Sequence, residues 1–330
     1  MTRAAIVCPG RGSYTERSLG SLPGDHPFVE QADAIRAEYD LPSCRELDAA
    51  SAFKSSLHLR PANVSALIFL VSMIDGEAAR ADYEICAIAG NSMGWYTALA
   101  MGGALSFADG FRLVQEMALL QEQHEEGGQI LFPLVDEEWR ADPAAVEAVQ
   151  SLLEQHPGEL FPSIKLGGYA VLAGTEAGLR IALDTLPKVK LGGTPYPFRL
   201  MRHGPYHTSL LEPVAEQAAL RLSGLQFRAP EVPLIDGRGR RHTPWNSSAA
   251  SLSSYTLGDQ VVEPYDLSSS LFVMLREHAP ERVVLPGPGN TLGGVVGQVL
   301  VAEGWRGIRS KADFGVIQKG DDPIVVSMRR

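Results

Sequence analysis

The chain has 330 residues, of which 45% are hydrophobic and 21% charged, with a net charge of -10. That balance suits one large globular domain with an insertion, or two domains, and the acidic excess argues against nucleic acid as a partner. No apolar run reads as long enough to cross a membrane, and "MTRAAIVCPG", interrupted by Pro9, is too short for a signal peptide. Cys8, Cys44 and Cys86 show no metal-ligand spacing. Cys8 and Cys86 lie in apolar strand-like runs and read as buried thiols, which places the chain in a reducing cytoplasm.

In chain order, "AAIVCPG" reads as a buried strand entering a Gly-rich turn, and residues 27–39 as a helix. "NVSALIFLVSMIDGEA" is an apolar helix that starts after Pro61. "EICAIAG" is a short buried strand leading into "GNSMG", and the helical "GWYTALAMGG" follows at once. Ser106 is the expected N-cap of the helix "SFADGFRLVQEMALLQEQ". The alternation predicts an α/β domain around a mostly parallel sheet.

The texture changes near Gly127-Gly128. "QILFPLV" is a strand, Pro143 to Gln155 a helix, "LFPSIKLGGYAVLAG" strand-rich, "TEAGLRIALDTL" a helix capped by Thr175, and "TPYPFRLM" a strand. This β-α-β-β-α-β order, or a reduced form of it, predicts a small ferredoxin-like insertion over 127–201, between parts 1–126 and 202–330 of a large α/β domain. After residue 202 come a helix ("TSLLEPVAEQAALRLSGL"), a strand and turn ("VPLIDGRGRRHTPW"), a helix ("LSSSLFVMLREHAP") and a strand–turn–helix ("RVVLPGPGNTLGGVVGQVL").

Gly90-Asn91-Ser92-Met93-Gly94 is a Gly-x-Ser-x-Gly pentapeptide with a strand before it and a helix after it. That context lifts a serine hydroxyl out of a sharp turn at a helix N-terminus, and the small residues let strand and helix backbones approach. A serine hydroxyl needs a base to become nucleophilic. Among eight histidines, His207 in "RHGPYHTSLLEP" is the best candidate, because it precedes a helix and follows a Pro-containing turn. His203 is the alternative. His26, His58, His124, His156, His242 and His278 lie in polar stretches and read as solvated.

Several segments, in order, resemble the malonyl-CoA:acyl carrier protein transacylases and the acyltransferase domains of polyketide synthases. They are "CPGRGSY", "LRPANVSAL", "AGNSMGWYTALAMGGALSFADGFRLV", "GYAVLAG", "HGPYHTSLLEP", "VPLIDGRG", "DQVVEPYDL" and "LPGPGNTLGG", spanning residues 4 to about 298. The resemblance implies an α/β-hydrolase-like large domain with a ferredoxin-like insertion, and a ping-pong acyl transfer. Ser92 would attack an acyl-CoA thioester with His207 as base. The phosphopantetheine thiol of an acyl carrier protein would then take the acyl group. It also implies that a backbone carbonyl at Gln260 orients the histidine, and that the N–H groups of Met93 and Arg11 hold the oxyanion. No bound cofactor, metal, nucleic acid or membrane is implied, and a monomer is expected.

The family's carboxylate-binding arginine is expected where Met117 stands, and a methionine cannot hold a carboxylate. Either the acyl group is uncharged or another cation takes over, with Arg11 (in place of a glutamine) and Arg202 as the candidates. Asn91 replaces the histidine before the serine, Trp95 the glutamate after the motif, and Tyr14 a second glutamine. Met117, Trp95, Asn91 and Arg202 are therefore the acyl-pocket candidates. The basic run Arg238, Arg240, Arg241, His242 reads as a solvated turn, or as a contact for CoA phosphates or an acidic carrier. Three other readings compete: an acyl-thioester hydrolase, a non-catalytic carrier-binding subunit, and a general α/β-hydrolase using a late histidine such as His278.

Overall fold

The computed structural model of the protein describes residues 1–124 and 126–329. The chain lays down β1 (Thr2–Cys8) and β2 (Tyr83–Gly90), then leaves for β3 (Gly128–Pro133), β4 (Leu160–Leu166), β5 (Tyr169–Gly174), a hairpin of β6 (Val189–Leu191) and β7 (Thr194–Tyr196), and β8 (Phe198–Arg199). It returns with β9 (Leu234–Ile235), β10 (Arg241–His242), β11 (Tyr265–Asp266), β12 (Arg282–Leu285) and β13 (Val325–Ser327).

The large sheet has six strands in the order β10-β9-β2-β1-β12-β13. All its pairings are parallel except that of β10 with β9. Parallel strands covered on both faces read as unbroken apolar runs, and Ala4 to Cys8 are fully buried at its centre. Against it packs the helix Pro61–Asp82, with Pro61 in its first turn, where a missing N–H costs nothing. This 22-residue helix corrects the reading that no apolar run could cross a membrane: by length and composition it qualifies, but 83% of its apolar window is buried inside the protein. It is apolar all round because it is surrounded, with Phe69 against Phe107 and Phe111 of the neighbouring helix Phe107–Gln123.

The second sheet runs β11-β4-β5-β3-β8. Strands β3, β4, β5 and β8 pair antiparallel, with helix Pro143–Gln155 after β3 and helix Glu176–Thr185 after β5. This is a ferredoxin-like β-α-β-β-α-β unit with its own core, including Ile130, Phe132, Val149, Leu172 and Leu179. The side chains of Ser106 and Thr175 accept from Asp109 N and Gly178 N, as caps should. "TPYPFRLM" is not one strand. It divides between the hairpin and β8, because Pro195 and Pro197 have no N–H for a continuous ladder. The fifth strand, β11, comes from beyond residue 202 and pairs in parallel with β4, Tyr265 opposite Ile164. It ties the small sheet to the large domain beside the site described below.

The helix Gly94–Met101 crosses the end of β1 so closely that a Cβ on Gly94 would lie 2.3 Å from the carbonyl oxygen of Cys8. Neither backbone can yield without moving the sheet. Gly94→Ala should therefore cost about 1–3 kcal/mol or more, read as a lower urea midpoint.

Candidate active site

Strand β2 ends at Gly90 and the next helix begins at Gly94, so the chain reverses in three residues. A Cβ on Gly90 would lie 2.1 Å from the carbonyl of Gly94, which only glycine permits. Ser92 sits at the apex with φ +53°, a left-handed conformation that a serine adopts at a cost. Its Oγ lies 2.7 Å from Nε2 of His207, 115 residues away in the chain.

His207 is likewise left-handed, φ +61°, and two carbonyls from one short helix hold it. Its N–H donates to Val261 O at 3.1 Å, and its Nδ1 donates to Gln260 O at 2.7 Å. Helix Gln260–Val262 stops at once, following a π-helical turn at Tyr255–Asp259. The residue that would have donated to Gln260 O in a continuing helix is Pro264, which has no N–H. The carbonyl is thus left for the imidazole. The Gln260 side chain ties the site together, its Oε1 accepting from Tyr96 OH at 2.7 Å and its Nε2 donating to Ser92 O at 3.2 Å.

A carbonyl can only accept, so the proton sits on Nδ1 and the lone pair of Nε2 faces the Ser92 hydroxyl. Burial lowers the His207 pKa to about 4, although the bond to Gln260 O opposes the shift. The imidazole is therefore neutral at physiological pH and able to take a proton.

The pair opens into a cavity of about 450 Å³ between the two sheets. Leu131, Ile164, Leu166 and Val171 of the small sheet form an apolar wall. Asn91, Met93, Arg11 and Arg202 also line it. Asn91 is nearly buried, and its Oδ1 has no hydrogen-bond partner among the described residues. Arg11 lies over the ring of Tyr206, its Cζ 4.7 Å from the centroid. Its Nη2 donates to Arg202 O at 2.9 Å and to Tyr206 OH, while its Nη1 is buried without a partner among the described residues. Arg202 is exposed.

Two acyl-pocket candidates are corrected. Trp95 and Met117 do not line the cavity; both are core. Trp95 follows the turn by three residues and points into the domain, where its Nε1 donates to Thr256 Oγ1 at 3.0 Å and its ring meets Tyr255 and His242. Met117 is 1% exposed on the inner face of its helix, and Gln121, one turn later, is the residue of that helix at the cavity. Sequence reasoning missed Gln121, Tyr96, Gln129 and Tyr206. The signal available was spacing: Gln121 and Tyr96 stand four residues after Met117 and Ser92.

The other histidines are also placed. His203 Nδ1 meets Gln129 Oε1 at 2.8 Å, not Ser92, and burial beside the Arg11 cation lowers its pKa well below the usual value. His278 ends helix Leu267–His278 and does not line the cavity, which removes the residue a general α/β-hydrolase reading needed. His58 and His242 are buried rather than solvated. His58 Nδ1 accepts from Lys54 N at 2.9 Å and its Nε2 donates to Leu47 O at 3.1 Å, and His242 meets Asp236 at 2.8 Å. In the basic run, Arg238 pairs with Asp259 and Glu263, and Arg241 with Glu277, so its charge is largely answered within the chain. Among the described residues no group of three or more His, Cys, Asp or Glu could hold a metal ion.

Two outcomes follow for labelling of Ser92 by a fluorophosphonate. The rate should stay level from about pH 8 to about pH 5, then fall as pH drops through about 4, where protonation of Nε2 removes the base. Gln260→Ala should slow labelling roughly tenfold and not abolish it, because it removes side-chain bonds worth about 1 kcal/mol each but keeps the main-chain acceptor of His207.

No protein-family model matches the chain. The malonyl CoA-acyl carrier protein transacylase of Escherichia coli (strain K12) is 28% identical over 242 residues, 72% of this chain and 74% of that protein. An acyl carrier protein S-malonyltransferase from Vibrio cholerae O1 shares the fold with a TM-score of 0.75, covering 100% of this chain and 97% of its own at 18% identity. A malonyl-transacylase solved in complex with a type II polyketide synthase acyl-carrier protein matches with a TM-score of 0.72, over 91% of this chain and 93% of its own at 20% identity. The chain thus has homologues named malonyl CoA-acyl carrier protein transacylase, and it shares its two-sheet architecture with malonyl transacylases and with a polyketide synthase acyltransferase domain.

Proposed function

We propose that the protein is an acyl-CoA:acyl carrier protein S-acyltransferase that works through an acyl-Ser92 intermediate. The observation that carries this reading is the unbroken line from Ser92 Oγ through the His207 ring to Gln260 O, both contacts at 2.7 Å. Nε2 takes the hydroxyl proton as Oγ attacks the thioester carbonyl. The N–H groups of Met93 and Arg11, which both border the cavity, are the proposed oxyanion donors, each worth roughly 3–4 kcal/mol in such sites. The C–S bond then breaks, and His207 returns the proton to the departing CoA sulfur. In the second half the phosphopantetheine thiol of an acyl carrier protein enters, His207 takes its proton, and the sulfur attacks the acyl-serine. The proton goes back to Ser92. Every step is acid–base and nucleophilic chemistry of this chain's own side chains.

An acyl carrier protein is the proposed acceptor, as in the complex of the structural relative. Hydrolysis of the same acyl-serine by water is the competing outcome. Intact-mass analysis after incubation with acyl-CoA separates the two. A transferase keeps the adduct on Ser92 without acceptor and passes it to a holo carrier protein. A hydrolase turns acyl-CoA over to free acid with no carrier present. Ser92→Ala should carry no adduct, and an adduct of wild-type yield on that variant would sink the serine mechanism.

A further inference from the structure

Two neighbouring residues of the helix Gly94–Met101, which follows the serine turn, reach the same stretch of chain. Tyr96 OH donates to Gln260 Oε1 at 2.7 Å, and Trp95 Nε1 donates to Thr256 Oγ1 at 3.0 Å. Thr256 lies in the π-helical turn Tyr255–Asp259, and Gln260 follows it directly. The two bonds are rungs between the Ser92 side of the site and the segment whose carbonyls hold His207. A π-turn interrupts the regular helical ladder, so the ladder alone does not fix where the next carbonyls point. An outside brace is then what sets them.

The Trp95 rung has a footing of its own. Trp95 and Thr256 are fully buried, where an indole N–H and a hydroxyl hold each other because water cannot replace either. Behind the indole, His242 Nε2 meets Asp236 Oδ2 at 2.8 Å, and both side chains are shielded from solvent. Asp236 Oδ1 accepts the N–H groups of Arg238 and Arg240, each at 2.9 Å, which locks the carboxylate to its own turn. Tyr255 OH accepts the N–H of Gly237 at 2.8 Å. The indole ring packs 5.8 Å from the His242 ring and 5.5 Å, edge-on, from that of Tyr255. The imidazole and the phenol thus fix the plane of the indole, and the indole aims its N–H at Thr256.

We infer that Trp95 is a positioning residue: its bond to Thr256 holds the π-turn in place and so sets the Gln260 carbonyl that brings His207 within reach of Ser92. This rests on the serine–histidine reading above. It gives Trp95, which does not line the cavity, a task at the site. The hydroxyl and the imidazole come from elements 115 residues apart. A rung between those elements is what keeps the distance between them constant.

Thr256→Val removes the acceptor at nearly constant volume, Trp95→Phe removes the donor, and a double variant removes both. Trp95→Phe also opens space in the core, so Thr256→Val is the decisive single change. Three quantities are compared with wild type: the rate of Ser92 labelling by a fluorophosphonate, the urea midpoint, and the NMR signal of the His207 Nδ1–H proton, assigned by its absence in His207→Gln. Thr256→Val should slow labelling roughly tenfold, the size of one buried hydrogen bond. The double variant should be no slower than the slower single one, because both changes delete the same bond. The Nδ1–H signal should move upfield or broaden as its bond to Gln260 O loosens. A lowered urea midpoint with the labelling rate and the His207 signal at wild-type values would overturn the inference and leave Trp95 as core packing. Rate losses that multiply in the double variant would overturn it too. A wild type that the fluorophosphonate does not label would overturn the serine–histidine reading and this inference together.

Discussion

The carbonyl oxygen of Gln260 faces His207 because Pro264 has no N–H with which to continue the helix. That unanswered acceptor sets the tautomer of the imidazole, and the tautomer turns a lone pair toward Ser92. A carboxylate in the same place would orient the ring too, but it would also favour the charged imidazolium. A neutral carbonyl orients it while leaving burial free to keep it unprotonated. The same short helix end accepts the N–H of His207 through Val261, so a single chain break positions both the ring and its backbone.

Local strain surrounds this bond. Ser92, His207 and Arg202 all have left-handed backbones, and all three border the cavity. Such conformations persist only where the surroundings over-determine them. Here the surroundings are the glycine-permitted crossing of the Gly94–Met101 helix over β1, the bond from Gln260 Nε2 to Ser92 O, and the clasp of His207 by Gln260 and Val261. Stability lost at the turn is offset by the rigid sheet beneath it, which keeps the hydroxyl–imidazole distance short without bound substrate.

The two sheets have different parts in this arrangement. The large sheet and its loops carry the polar groups, Arg11, Asn91 and Ser92. The small sheet contributes an apolar wall. β11 joins them: Tyr265 pairs with the small sheet while its hydroxyl donates to Gly90 O at the base of the serine turn. The wall is thus fixed relative to the reacting atoms.

Much of this was legible in the residues. Unbroken apolar runs marked β1 and β2, caps marked the helix starts, and the order of elements marked the ferredoxin-like insertion. Gly90 and Gly94 around Ser92 announced a tight turn, the turn before His207 singled out that histidine, and family resemblance pointed to Gln260. What local pattern could not decide was which way side chains face once helices pack. Trp95 and Met117 stand near the right residues in sequence, yet their rotation about the helix axis sends them into the core, while Tyr96 and Gln121 reach the cavity. Nor could it show that His58 and His242 are buried, that β11 crosses to the second sheet, or that Arg11 keeps one arm unpaired. The sequence by itself determined the elements, the turn and the reacting residue types, because these follow from neighbours a few positions apart. The tertiary structure decided which groups meet, because contacts across 115 residues depend on how sheets and helices pack together.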